Sequence, residues 1–255
     1  METPVALPLP EARSAPSIVL PHIRLLPRWF AAAQAVLVSG IPTQLAVAVV
    51  LLLGFNMPIY DGDGLSLEFF ATLSLFDTAL IALLIRLFLI LSGEESRDVF
   101  LGPRKIFGEM WRGLALLPVS YIGVTLIASG LRAVAPWLHT VKQSPIEGFL
   151  KTPFDAAIFF VVVVLAGGVR EELQRAFIIH RFRQRLGGAL WGLGAYSLLF
   201  GALHFDQGLD VAVAVGCLGL LWGILYLKRG SAVMTMTNHA SFNAAQVIIA
   251  RTLGM

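Results

Sequence analysis

The chain has 255 residues, 57% of them hydrophobic and 14% charged, with a mean hydropathy of +0.79. A water-facing surface needs roughly a quarter of its residues charged, so a soluble domain is excluded and most of the exterior must face lipid. The net charge of +3 gathers in particular loops, which is an orientation signal, so no nucleic-acid partner is expected.

The chain opens on a Pro-rich stretch, residues 1–28, with Pro4, Pro8, Pro10, Pro16, Pro21 and Pro27. It lacks the basic start, short apolar core and small-residue cleavage site of a signal peptide. It reads as a flexible tail, with His22 to Arg28 near the membrane surface. Apolar stretches follow, each of the roughly 20 residues that a bilayer demands, at about 29–54, 69–92, 114–136, 154–180, 189–205, 211–227 and 232–251. The predicted fold class is therefore all-α, a polytopic transmembrane helix bundle of seven spans. The count rises to eight if the first stretch divides at Ser39-Gly40-Ile41-Pro42. Residues 29–153 supply N-terminal transmembrane helices and an amphipathic connector, and residues 154–255 form the core that carries the chemistry. Thr152-Pro153-Phe154-Asp155 reads as the capped start of the fourth span. The single cysteine, Cys217, excludes an intrachain disulfide and reads as a small packing residue. Gly188 with Gly192, and Gly219 with Gly223, would let neighbouring helices pack closely.

Basic residues set the orientation. With the N-terminus inside, twelve fall on the inner side: Arg13, Arg24, Arg28, Arg97, Arg104, Lys105, Arg112, Arg181, Arg183, Arg185, Lys228 and Arg229. Only Lys142, Lys151, Arg251 and Arg132 fall on the other. The positive-inside rule predicts an integral, multi-pass protein of a bacterial plasma membrane with a cytoplasmic N-terminus. No repeat of the transporter kind is visible.

Ionisable groups inside spans are costly and default to functional candidates. Arg86 can snorkel to the inner surface. Asp77 lies deeper and needs a partner on another helix. The strongest signal is Gly168-Val169-Arg170-Glu171-Glu172-Leu173-Gln174-Arg175, which interrupts an apolar run. Glu171 and Arg175 stand four apart on one helical face, while Glu172 points about 100° away. That spacing predicts a Glu171–Arg175 pair and a second carboxylate left free.

Two histidines share this placement. His204 ends the fifth span in Phe200-Gly201-Ala202-Leu203-His204, and His239 stands four residues before Asn243 in the seventh. At 1.5 Å per residue, Glu172 lies roughly 18 Å above the basic loop, His204 about 24 Å above Gly188 and Asn243 about 18 Å above Ser231. All fall in the middle band of the bilayer, and such a convergence points to catalysis. His22, His139 and His180 lie near surfaces and are assigned no role.

These residues resemble the CPBP family, the CAAX-processing and bacteriocin-processing intramembrane proteases. Its motifs are a glutamate pair followed by an arginine, Phe-x-x-x-His, and a late His-x-x-x-Asn. The matching residues are Glu171, Glu172 and Arg175, then Phe200 and His204, then His239 and Asn243. Gly219 to Ser231 resembles the family's bridge to the last motif. The likeness covers about 154–251. One departure is that Leu173 and Gln174 alone separate the glutamates from Arg175, where the family has three residues. The resemblance implies an intramembrane endopeptidase (a hydrolase) acting on a peptide or prenylated protein substrate. Water activated by a glutamate and His204 would attack, and His239 with Asn243 would hold the oxyanion, with Arg175 and Phe200 in support. No cofactor is favoured. The alternative is a zinc metalloprotease with Zn2+ on Glu171, His204 and His239, although the His-Glu-x-x-His helix of soluble zinc proteases is absent. The rival reading is a membrane transporter, or an inactive binding scaffold, that uses the same cluster.

Overall fold

The computed structural model describes residues 26–62, 64–142 and 145–253. The Pro-rich tail through residue 25, His22 included, lies outside the described residues. The first apolar stretch divides where the sequence interrupts it. Helices α1 (Arg28–Val38) and α2 (Ile41–Val49), the latter running on as a π-helix to Gly54, meet at 53°. Gly40 stands at the corner with φ +90°, a backbone conformation that costs a glycine little. The carbonyl of Val38, set free by the break, accepts from Gln174 Nε2 at 2.7 Å.

A pair of two-residue strands, β1 (Tyr60–Asp61) and β2 (Gly64–Leu65), leads into α3 (Leu67–Leu91), whose start is capped by the Ser66 hydroxyl. Then come α4 (Ser96–Phe100) and α5 (Ile106–Val134), a 29-residue helix on the periphery that carries Pro118 in its interior. α6 (Pro153–Val162) begins as expected, with Thr152 and Asp155 forming a reciprocal capping box. The predicted fourth span is not uniform. α6 passes into a π-helix, Val163–Arg170, and only then into α7 (Glu171–Arg185). α8 (Ala189–Ala202), α9 (Leu209–Arg229) and α10 (Val233–Leu253) complete the bundle.

The fold is an all-α polytopic helix bundle. Among the described residues four helical units are long and apolar enough to cross a bilayer: α3, α5, Pro153–Arg185 and α9. The bent pair Arg28–Val38 and Ile41–Gly54 makes a fifth if it is one broken span. Two of the seven predicted segments fall short of that measure. α8 has only 14 residues, and α10 carries Thr235, Thr237, Asn238, His239, Asn243 and Gln246.

The core joins α3, α7, α8 and α9 around Ile81, Leu89, Phe177, Ile179 and Trp222. Glycines set the close approaches, although not all those expected. A Cβ on Gly192 would lie 2.6 Å from the Cβ of Phe182, and one on Gly201 would lie 2.8 Å from the Ala212 carbonyl oxygen. Gly188 packs against nothing; it precedes α8 with φ +113°, so its glycine serves backbone conformation. Cys217 is not a packing residue either. α9 turns Leu218, Gly219 and Trp222 inward, which leaves the thiol exposed on the outer face.

Ion pairs, each with at least one buried partner, bind the ends of the bundle. Glu94, between α3 and α4, accepts hydrogen bonds of 2.5 Å from His180, Arg181 and Gln184 of α7. Burial works to raise its pKa, but these hydrogen bonds and the charge of Arg181 outweigh it and hold the carboxyl at about 2. Elsewhere Asp210 accepts from Arg132 at 2.5 Å and from His139 at 3.1 Å. Arg86 donates to Ser96 at the start of α4.

Candidate active site

The site is built where α10 lies against the π-helix. A Cβ on Gly168 would sit 2.5 Å from the Ala240 Cα, so only glycine permits this backbone approach. Asn243, one turn along α10 from His239, donates its amide to the Val163 carbonyl at 3.2 Å. The wider turns of a π-helix leave carbonyls without their usual partners, and this side chain serves one. Docking α10 here brings His239 onto α7. Its Nδ1 lies 3.0 Å from Glu172 Oε1, and its Nε2 lies 3.7 Å from Glu171 Oε2.

The pairing of charges differs from the helical-face argument. Arg175 pairs with Glu172, three residues away, and not with Glu171. The guanidinium lies among the rings of Tyr196, Phe200 and Trp222, with Phe200 closest at 4.8 Å to its centroid. Packing on these aromatic faces draws Arg175 inward, and the carboxylate on that side belongs to Glu172. Glu171 is therefore the more open of the two, its side chain 18% exposed against 1% for Glu172. Its neighbour is Arg170, whose Nη2 lies 3.6 Å away. Arg170 in turn donates to Asp77 of α3 at 2.9 Å, which supplies the partner Asp77 needs.

His204 stands just beyond α8, at the start of a short 3-10 turn, and not within a span. Its Nδ1 donates to the Phe200 carbonyl at 2.7 Å. In the neutral ring this leaves Nε2 as a proton acceptor. The Phe200 ring touches both histidines, with centroids 4.8 Å from His204 and 5.8 Å from His239. Arg170, Glu171, His204, His239 and Asn243 all line one cavity of about 590 Å³, whereas Glu172 and Arg175 stand behind its wall. Among the described residues no glutamate hydrogen-bonds His204 directly; the two sides meet across the cavity.

Sequence reasoning assigned no role to several supporting residues. The Trp222 indole stacks on His239 at 3.8 Å and donates to Asn238 Oδ1 at 2.7 Å. The Ser120 hydroxyl donates to the same oxygen, and the Asn238 amide donates to the Gly113 carbonyl. The Tyr196 hydroxyl donates to the Glu171 carbonyl at 3.1 Å. Asn238 had a visible signal, being a polar residue adjacent to His239 in a span. Trp222 and Tyr196 had none, since aromatic residues are ordinary in membrane helices.

Residues 153–245 match the family model described as type II CAAX prenyl endopeptidase Rce1-like. Over these residues the chain is similar to that family. No curated protein and no solved structure matches the chain. The Rce1-like segment holds Glu171, Glu172, Arg175, His204, His239 and Asn243, and it is consistent with a CPBP-family intramembrane protease. The family implies a hydrolase of peptide bonds embedded in a bilayer. Glu171, His204 and His239, the alternative zinc set, all line the cavity. Among the described residues no three His, Cys, Asp or Glu side chains gather as a metal site. The Nδ1 atoms of His204 and His239 are held by the Phe200 carbonyl and Glu172, which leaves the Nε2 atoms for chemistry.

Proposed function

We propose that the chain is an intramembrane endopeptidase in which Glu171 and His204 activate a water molecule against a peptide bond. The observation that carries this reading is the single cavity lined by Glu171, His204, His239 and Asn243. The water gives one proton to the Glu171 carboxylate or to Nε2 of His204, and its oxygen attacks the carbonyl carbon. The oxyanion that forms faces His239 and Asn243. His239 donates to it through Nε2–H, with Nδ1 against Glu172. Asn243 uses the amide hydrogen not given to Val163. Collapse breaks the C–N bond, and the proton taken up by Glu171 or His204 passes to the departing amine.

Glu172 and Arg175 pair behind the cavity wall, and with Phe200 they hold His239 and His204 in place. The substrate is a peptide whose cleavage site lies at the membrane, of the prenylated CAAX type or the leader type. The N-terminus lies in the cytoplasm.

The test is cleavage of prenylated and unprenylated CAAX-type peptides and a leader-type peptide by protein in lipid nanodiscs. Native protein should cleave one class, while Glu171→Gln and His204→Ala, melting as native, should not. Full activity in both variants would refute the mechanism.

A further inference from the structure

A second cavity of about 780 Å³ opens on the flank of the bundle, walled by α1, α2, α7 and α8. It adjoins the catalytic chamber, but none of Glu171, His204, His239 and Asn243 lines it. Arg28, the first residue of α1, and Arg185, the last of α7, stand at one end. The rest of the wall is apolar, with Ala35, Val36, Ile178 and Leu199, and no acidic side chain lines it among the described residues. Arg185 is fixed by its Nε, which donates to the Leu26 carbonyl at 2.6 Å. Among the described residues its terminal nitrogens make no hydrogen bond.

The dimensions identify the occupant. From Arg28 to Ser39, where the helix breaks, the rise is about 16 Å. That is the depth of one leaflet, half of a hydrocarbon core about 30 Å thick. A groove one leaflet deep, cationic at the membrane surface and apolar below, matches a single lipid with a negative headgroup. We propose that this groove binds an anionic phospholipid, with its phosphate between Arg28 and Arg185 and one acyl chain along α1 and α8. Ser39 and Tyr196 border both cavities, so the chain ends beside the catalytic chamber.

Native mass spectrometry of the purified full chain, equilibrated with phosphatidylglycerol or phosphatidylcholine, tests the site. Phosphatidylglycerol should be retained in preference. Arg28→Gln with Arg185→Gln should weaken its retention about thirty-fold, the contribution of two basic residues at an anionic surface. Arg97→Gln with Lys105→Gln, which removes the same charge elsewhere on that side, should change nothing. Ala32→Trp fills the groove and spares both arginines, and it should abolish retention. Glycerol phosphate should not compete. Each variant is first shown to keep its native melting temperature; where the double arginine variant does not, Ala32→Trp and the glycerol phosphate competition decide. Equal retention of the two lipids would overturn the proposal, as would equal loss in the control pair. So would an unaffected Ala32→Trp variant, which means adsorption of headgroups alone. Competition by glycerol phosphate would also overturn it, reducing the site to one for free phosphate.

Discussion

Arg170 donates to Oδ2 of Asp77 at 2.9 Å, across 93 positions of sequence, and thereby ties the helix that carries Glu171 to α3. Both side chains are nearly or fully buried. Removing one partner of such a pair leaves an uncompensated charge and costs about 3–5 kcal/mol. Asp77→Ala should lower the melting temperature in detergent, and the double variant Asp77→Ala with Arg170→Ala should lose less than the two single losses combined. Strict additivity would mean that the pair contributes nothing as a pair.

The two glutamates should separate by readout. Glu171→Gln removes a proton acceptor from the cavity wall and should cut turnover about 10²- to 10⁴-fold with the melt nearly unchanged. Glu172→Gln takes the charge partner from Arg175 and the acceptor from His239. It should therefore lower stability and activity together. A Glu172→Gln protein as stable as native would place Glu172 outside the structural cluster.

Arg175→Lys should not substitute for the native residue. A lysine keeps the charge, but it has no planar group to lie among Tyr196, Phe200 and Trp222. We expect lower thermal stability, with peptidase activity per folded molecule preserved in part. A fully folded but inactive Arg175→Lys protein would assign the guanidinium to the chemistry.

Glu94 predicts a pH window. Its folded carboxyl sits at about 2 against an ordinary 4.5, so its contribution is present in full above 4.5. That contribution is lost as the pH falls from there through about 2. Glu94→Gln should be less stable than native protein at pH 7, and the gap should close as the pH drops through this window. The check is a pair of melting series between pH 7 and pH 2. A gap that stays constant would deny the ionised pairing with Arg181.

Orientation is open to a fusion reporter. With a cytoplasmic N-terminus and seven membrane segments, counting the bent first pair as one, a reporter after Met255 should be active only outside. A cytoplasmic signal there would change the count by one or reverse the chain.

Composition alone made this an all-α membrane bundle, because so few charged residues cannot cover a water-facing surface. The break at Ser39-Gly40 and the cap at Thr152 were local too, written in glycine, proline and short polar side chains. Glu171, Glu172, His239 and Asn243 stood out as polar groups inside apolar segments, and His204 as one at the end of such a segment. Which of them meet was a different matter. Helical spacing assigned Arg175 to Glu171, but three aromatic rings from α8 and α9 draw the guanidinium to Glu172. Their positions follow from close contacts at Gly219 and Gly223, whose spacing announces close packing but not the partner. The partner of Asp77 was equally out of reach, since the π-helix shifts the facing of Arg170 away from the regular 3.6-residue count. Residue types and depth are properties of single segments, legible one at a time. The choice of partner depends on how helices rotate and approach when packed, and only the tertiary structure decides that.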